Sequence, residues 1–215
     1  MASLAQALVL NIGTLNARTR TSMLAAGKRA RERGIPVILD PVGIGATALR
    51  TDTVKLIIKE VGPTVIRGNM SEIKCLAGLD VAIKGVDSVA DTGQGALVAS
   101  RLAQQLHCII AITGKQDVVS DGTRTTLIDN GHELLSKVTG TGCMTTALVG
   151  TYCGAIQDSY VGTIAGILTM GLAGEIAQHS LQPGDGVGTF RVRLFDAIYN
   201  LTPEQIRLQG RVSGA

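Results

Sequence analysis

The chain has 215 residues, enough to bury one sizeable core, and 45% hydrophobic against 17% charged residues, with mean hydropathy +0.29, excludes low-hydrophobicity disorder. Three Tyr, two Phe and no Trp leave no aromatic platform on which bases could stack, and a net charge of +3 is too small for a nucleic-acid surface unless the charges cluster. Four cysteines, Cys75, Cys108, Cys143 and Cys153, form no C-x-x-C pair and have no His at zinc-ligand spacing, so a reducing, cytoplasmic setting fits better than a disulfide or zinc scaffold.

In chain order, aliphatic runs at 7–12, 36–39, 64–66 and 108–112 predict strands, alternating with helical patterns at 17–33, 51–61, 71–79 and 92–107. This is the signature of βαβ units around a parallel sheet. Lys28, Arg29, Arg31 and Arg33, beside Arg18 and Arg20, fall on the first helix and read as its solvated face rather than a nucleic-acid patch. Beyond Gly114 the pattern changes, and 117–120 and 124–129 flank Asp121-Gly122 as an edge hairpin. Two apolar helices at 143–155 and 159–180 and a last helix near 191–200 complete the chain. The apolar run 162–172 is broken by Gly and Thr and ends at Glu175, short of the roughly 20 residues a bilayer needs, and no signal-peptide pattern is visible. No linker or repeat divides residues 1–215, which read as a single α/β domain.

Glycine is the outlier, 27 of 215 residues against a usual ~7%. Several glycines stand where the predicted strands end: Asn11-Ile12-Gly13-Thr14, Asp40-Pro41-Val42-Gly43, Arg67-Gly68-Asn69 and Thr113-Gly114. In open α/β sheets the ligand sits outside the carboxyl ends of the strands, and glycine there lets backbone approach phosphate. Ordinary βα turns would use the same residues. A Walker loop is excluded, because Gly27-Lys28 and Gly114-Lys115 lack the upstream glycine and the hydroxyl. Gly43-Ile44-Gly45-Ala46-Thr47-Ala48 nearly meets a dinucleotide fingerprint, but Pro41 sits in its turn and the next strand ends in Arg67 where an acidic ribose ligand belongs. Thr139-Gly140-Thr141-Gly142-Cys143-Met144-Thr145-Thr146 is sharper. Its double-glycine turn opens onto an apolar helix, whose first N–H groups make an anion hole, with Cys143 in the first turn. A flexible turn with a small packed Cys is the plainer reading of the same residues.

Asp40-Pro-Val-Gly-Ile-Gly-Ala-Thr47, Arg67-Gly-Asn-Met-Ser-Glu-Ile73, Ile112-Thr-Gly-Lys-Gln-Asp117 with Asp121-Gly122, and Thr139-Gly-Thr-Gly-Cys143 resemble, in order and spacing, the hydroxyethylthiazole kinases of the ribokinase-like fold. Asn11-Ile-Gly-Thr-Leu15 and Phe190-Arg-Val-Arg-Leu-Phe-Asp-Ala-Ile-Tyr-Asn-Leu201 match as well, so the resemblance spans the chain. It implies a three-layer α/β fold with a mostly parallel central sheet and helices on both faces, assembled as a homotrimer. The implied reaction is ATP-dependent phosphorylation of the hydroxyl of 4-methyl-5-(2-hydroxyethyl)thiazole, a salvage step toward thiamine. By motif, Arg67, Thr113 and Gly114 would bind ATP, Asp40 and Glu72 would hold Mg²⁺, and Gly13 and Gly140 would contact substrate. Gly142 and Cys143 would form the anion hole, with Cys143 facing the attacking hydroxyl where most ribokinase-like relatives carry Asp. Helix capping is the alternative role for Glu72, which follows Ser71 at a helix start.

Family members carry a further strand and helix ahead of the segment equivalent to 7–15, so the pattern implies a short N-terminal side and a thiazole pocket lacking the family's substrate-contacting Met. Neither Met1 nor Met23 takes that role. Two other readings follow: a ribokinase-like kinase or dehydratase with another small substrate, and a catalytically impaired nucleotide-binding subunit.

Overall fold

The computed structural model describes residues 1–78 and 92–214, and a seven-stranded sheet in sequential order organises them. Strands β1 (Leu8–Asn11), β2 (Val37–Asp40), β3 (Val65–Asn69) and β4 (Ile109–Thr113) pair in parallel. Strands β5 (Asp117–Ser120), β6 (Thr125–Ile128) and β7 (Val212–Gly214) then continue the sheet antiparallel. The expectation of a mostly parallel sheet is corrected to a mixed one. The Asp121-Gly122 turn reverses the chain as expected, and the C-terminus returns to pair β7 with β6, which no sequence pattern announced.

Alternation within the strands sorts the core into two faces. Leu39, Ile66, Ile110 and Ile112 pack under α1 (Ala17–Glu32), α2 (Ala48–Val61), α3 (Met70–Gly78) and α4 (Thr92–Leu106). Their neighbours Ile38, Val65, Ile109 and Ala111 face the opposite layer. That layer follows a single turn of helix, α5 (Leu134–Lys137), and comprises α6 (Thr141–Ala155) and α7 (Ser159–His179), with α8 (Val187–Asn200) packed outside α7 around fully buried Phe190. The chain closes with α9 (Pro203–Gln209) ahead of β7.

Local chemistry sets the helix ends. Asn16 and Thr19 form a capping box at α1, while Thr47 caps α2, which starts at Ala48, three residues ahead of the expected 51, and Gly62, at φ 63°, ends it. Leu79, the expected end of the third helix, lies outside the described residues. Helix α6 starts at Thr141 rather than 143, and α8 at Val187 rather than 191. Helix α9 was not anticipated, although Thr202 and Gln205 form a capping box around Pro203, a signal readable from sequence.

The basic cluster lies along α1, where Lys28 pairs with Glu60 and Arg29 with Glu32 at 2.9 Å, so these charges are partly neutralised in place. Helix α7 is longer than its apolar run suggested. At 21 residues it meets the length and composition of a membrane span, yet 72% of its apolar window is buried inside the protein. Its glycines explain how α6 comes so close: a Cβ on Gly166 would stand 2.5 Å from the Val149 backbone nitrogen. Gly188, by contrast, has nothing within 4 Å of its Cβ direction. Gly166→Ala is therefore expected to lower unfolding free energy by about 2–3 kcal/mol through forced separation of α6 and α7. Gly188→Ala, inside a helix and free of contact, is expected to be neutral or to stabilise by up to about 1 kcal/mol. Urea unfolding of both variants checks the contrast.

Candidate active site

The carboxyl ends of β1 to β4 converge with the start of α6. Parallel register sets Asn11 beside Asp40, and the Asn11 amide donates to Asp40 Oδ2 at 2.8 Å. The Thr146 hydroxyl of α6 donates to the same oxygen, also at 2.8 Å, across 106 residues of sequence. Asp40 is only 1% exposed. Burial pushes its carboxyl above the ordinary value, against the pull of Thr146 and Arg67, and the nearby Glu72 carboxylate pushes it further up.

Arg67, on β3, is 8% exposed, and its guanidinium donates to the Thr113 hydroxyl at the end of β4. Its Nε is buried without a partner. A buried guanidinium with an unpaired donor is costly unless an anion or another acceptor completes it. Gly142 approaches the same group so closely that a Cβ there would lie 3.0 Å from one terminal nitrogen of Arg67. Gly140 precedes the first residue of α6 with a φ of 98° that suits glycine, and no side chain caps the helix. The N–H groups of Gly142 and Cys143 have no acceptor among the described residues. These N–H groups, the helix dipole and Arg67 all favour negative charge at one place.

A cleft of about 720 Å³ opens there. Arg67, Thr113, Gly114 and Gly142 line it, as do Lys115 and Asp117, and Leu135, Ile167 and Met170 give it an apolar side. Asp117 accepts the Gly114 N–H at 2.9 Å, which shapes the turn after β4. Burial pushes its carboxyl up to about 7, while the Gly114 hydrogen bond and the charge of Arg67 pull the other way.

The remaining anticipated residues sit around this cleft rather than in its lining. Glu72 accepts the Gly43 N–H with Oε1 and the Asn69 N–H with Oε2, both at 2.9 Å, so it ties the loop after β2 to the start of α3. Asn69 returns the bond to the Glu72 N–H, completing a cap. Gly13 donates to Asn11 Oδ1 at 2.8 Å and its carbonyl accepts Arg50. Gly140 and Cys143 are exposed at the mouth of α6.

The near-dinucleotide sequence is not open to a pyrophosphate. Gly43 N–H goes to Glu72, Gly45 N–H to Thr51 and Ala46 N–H to the Gly43 carbonyl. Its glycines serve conformation, with φ 66° and 87°, and the Arg50 side chain lies against Gly43. Sequence reasoning gave no role to Arg50, Asp117 or Thr146. Asp117 and Thr146 lay inside quoted motifs, whereas nothing marked Arg50, which joins two loops by donating to the carbonyls of Val42 and Gly13 at 3.0 and 3.2 Å. No group of three or more His, Cys, Asp or Glu placed to hold a metal occurs among the described residues.

A three-layer α/β fold with polar, glycine-rich strand ends facing a glycine-opened helix is the ribokinase-like fold. A structure from Bacillus subtilis, an ADP/ATP-dependent NAD(P)H-hydrate dehydratase co-crystallised with ATP/Mg²⁺, shares the fold at TM-score 0.61 and 17% identity, covering 92% of this chain and 68% of that one. The chain belongs to the hydroxyethylthiazole kinase family, which it matches over residues 1–204. It is 51% identical over 213 residues to the hydroxyethylthiazole kinase of Alkaliphilus oremlandii, covering 99% of this chain and 79% of that protein. The structure of the Pyrococcus horikoshii OT3 hydroxyethylthiazole kinase superposes with TM-score 0.88 at 37% identity, covering all of this chain and 79% of that one.

Gly142→Ala separates chemistry from folding. Alanine improves helix propensity in the first turn, so thermal stability is expected to hold or rise slightly. The methyl group would displace the Arg67 guanidinium and crowd the free N–H groups, and kcat is expected to fall roughly 10- to 100-fold. Melting curves and steady-state rates measured together test this.

Proposed function

We propose that this chain transfers the γ-phosphoryl group of ATP to the hydroxyl of 4-methyl-5-(2-hydroxyethyl)thiazole. The observation that carries the reading is Arg67, a buried guanidinium with an unpartnered Nε beside the open N–H groups of α6. Arg67 and Thr113 would hold the phosphates, with the Gly114 turn, fixed by Asp117, closing against them. The substrate hydroxyl oxygen would form a bond to γ-phosphorus as the bond to the ADP oxygen breaks, and the hydroxyl proton would pass to Cys143 acting as base while ADP leaves with the bridging oxygen. Such transfer needs mainly charge neutralisation and in-line placement, which Arg67 and the N–H groups of Gly142 and Cys143 would supply.

Asp40 and Glu72 are the proposed holders of Mg²⁺. Their fit rests on electrostatics: Asp40 is buried, and the Glu72 carboxylate raises its proton affinity further, a repulsion that a bound cation would relieve. A hard cation that keeps most of its water needs no third protein ligand. When bound it would neutralise phosphate charge. Gly13 and Gly140 are the proposed substrate contacts, and Cys143, at the third position of α6, the residue facing the hydroxyl.

The sheet runs without a break from β1 to β7, and we read the chain as one kinase domain. A homotrimer belongs to the same reading, supported by exposed Val192, Phe195 and Tyr199 on α8, which an assembly would cover. Four free cysteines fit a cytoplasmic setting. Family membership favours the thiazole alcohol over other acceptors.

ADP release measured with and without hydroxyethylthiazole is the direct test. Release that depends on the thiazole supports the reading, and release indifferent to it overturns the substrate. Cys143 variants address the proton. Asp at this position is ionised at pH 7, so Cys143→Asp is expected to retain at least the parent kcat. Cys143→Ser keeps the backbone N–H but offers no useful base, and a loss of roughly ten- to a thousandfold is expected. If both variants match the parent enzyme, catalysis rests on the anion hole and the cation alone.

A further inference from the structure

The wall of the cleft formed by Asn130, Gly131, His132 and Glu133 is built on a loop between β6 and α5, and loops at a surface do not hold a wall by themselves. Here the loop is fastened from behind by the end of the chain. Glu175, on α7, accepts the Gly131 N–H at 2.7 Å with Oε1 and the Asn130 amide at 3.2 Å with Oε2, and the Arg211 guanidinium donates to both oxygens, at 2.6 Å to Oε1 and 3.3 Å to Oε2. Asn130 is 4% exposed and faces the same segment: its Oδ1 accepts the Arg211 N–H at 2.6 Å and its Nδ2 donates to the Gln209 carbonyl at 3.1 Å. Arg211 also donates to the Asp129 carbonyl, at 2.6 Å. Gly171 lets α7 pass against this loop, since a Cβ there would lie 2.6 Å from the Asn130 carbonyl oxygen. Burial alone would raise the Glu175 carboxyl, yet the donors from Arg211, Gly131 and Asn130 hold it below its usual value.

We infer that Glu175 and Arg211 are positioning residues for nucleotide binding, acting through Asn130 to hold the 130–133 wall of the cleft in register with Arg67 and Gly114. This rests on the reading of the cleft as the ATP site. Arg211 lies beyond residue 204, where the match to the family ends, so the brace is assigned from this chain's own contacts. The pair carries one charge of each sign behind the wall, and both partners touch the loop as well as each other. Removing either one should loosen the wall without altering the thiazole side, where Asp40, Gly13 and Cys143 stand apart from it.

The test is steady-state kinetics of Arg211→Ala, Arg211→Lys, Glu175→Gln and the double variant Glu175→Gln/Arg211→Ala, with Arg207→Ala as a matched loss of charge on α9. Circular dichroism melts report folding. Titration of the parent enzyme with a non-hydrolysable ATP analogue first establishes that ATP binds, and failure at that step overturns the reading of the cleft rather than the brace alone. For Arg211→Ala the KM for ATP is expected to rise about tenfold, with kcat and the KM for hydroxyethylthiazole within about twofold. Arg211→Lys should recover part of the loss, and the double variant should cost little more than either single one. Arg207→Ala should match the parent. An unchanged KM for ATP in Arg211→Ala, or equal rises in both KM values, overturns the proposal. If Arg211→Ala does not fold, the same split in Arg211→Lys and Glu175→Gln decides it.

Discussion

A guanidinium that is buried but not fully paired is the constraint around which this protein is arranged. Placing Arg67 near the end of β3 takes it out of water, and its surroundings compensate from three directions: the Thr113 hydroxyl, the charge of two carboxylates, Asp40 and Asp117, and a glycine where any other residue would intrude. What is left uncompensated is the Nε, together with the free N–H groups at the start of α6, and all of these are donors that an anion could satisfy. The carboxylates are themselves pushed upward by burial, so the site holds charges of both signs under strain from desolvation. An anion beside Arg67 would supply the acceptor that its buried Nε lacks.

Much of this was legible in the sequence because its signals are local. Strand ends rich in Gly, Asn and Asp, the unbroken aliphatic runs of β2 to β4, and the double-glycine turn each announce themselves within a few residues. The motifs then placed Arg67, Thr113, Gly114 and Gly142 together at one cleft, and their spacing in sequence gave no measure of how close Gly142 would come to Arg67. What stayed hidden depends on distant partners. The Thr146 bond to Asp40, the Arg50 clamp between two loops, and the bracing of Asn130 by Arg211 are made across tens of residues and leave no periodic trace. Strand β7 is hidden for the same reason. Three exposed residues, Val-Ser-Gly, become a strand only because β6 offers an unpaired edge. Glu72 shows the opposite case: what the structure shows of the carboxylate that the motif picked out for metal chemistry is that it ties two stretches of backbone together.

The two helical layers divide the work. Helices α1 to α4 cover one face and deliver the strand ends in a row, and the turns after β1 and β2 are bonded within themselves. The opposite face contributes the helix N-terminus and, through α7, the support behind the cleft. The strand order itself contains no reversal, so the crevice that such folds usually place at a switch in strand order arises here where α6 crosses back over the parallel ends.

That strictly sequential sheet also fixes when the site can exist. A ribosome releases β1 to β4 with their covering helices first, so Asp40 and Arg67 emerge while their partners Thr146 and Gly142 are still unmade. Until α6 is delivered, the two charged side chains remain hydrated and the face beneath Ile38, Val65 and Ile109 stays uncovered. Desolvation of the charges and closure of the apolar face therefore happen in one event, late in synthesis. A nascent chain interrupted before residue 141 would carry most of the sheet and Arg67 but not the α6 N–H groups that complete the anion site, and it would present a broad aliphatic surface to the chaperones that monitor such intermediates.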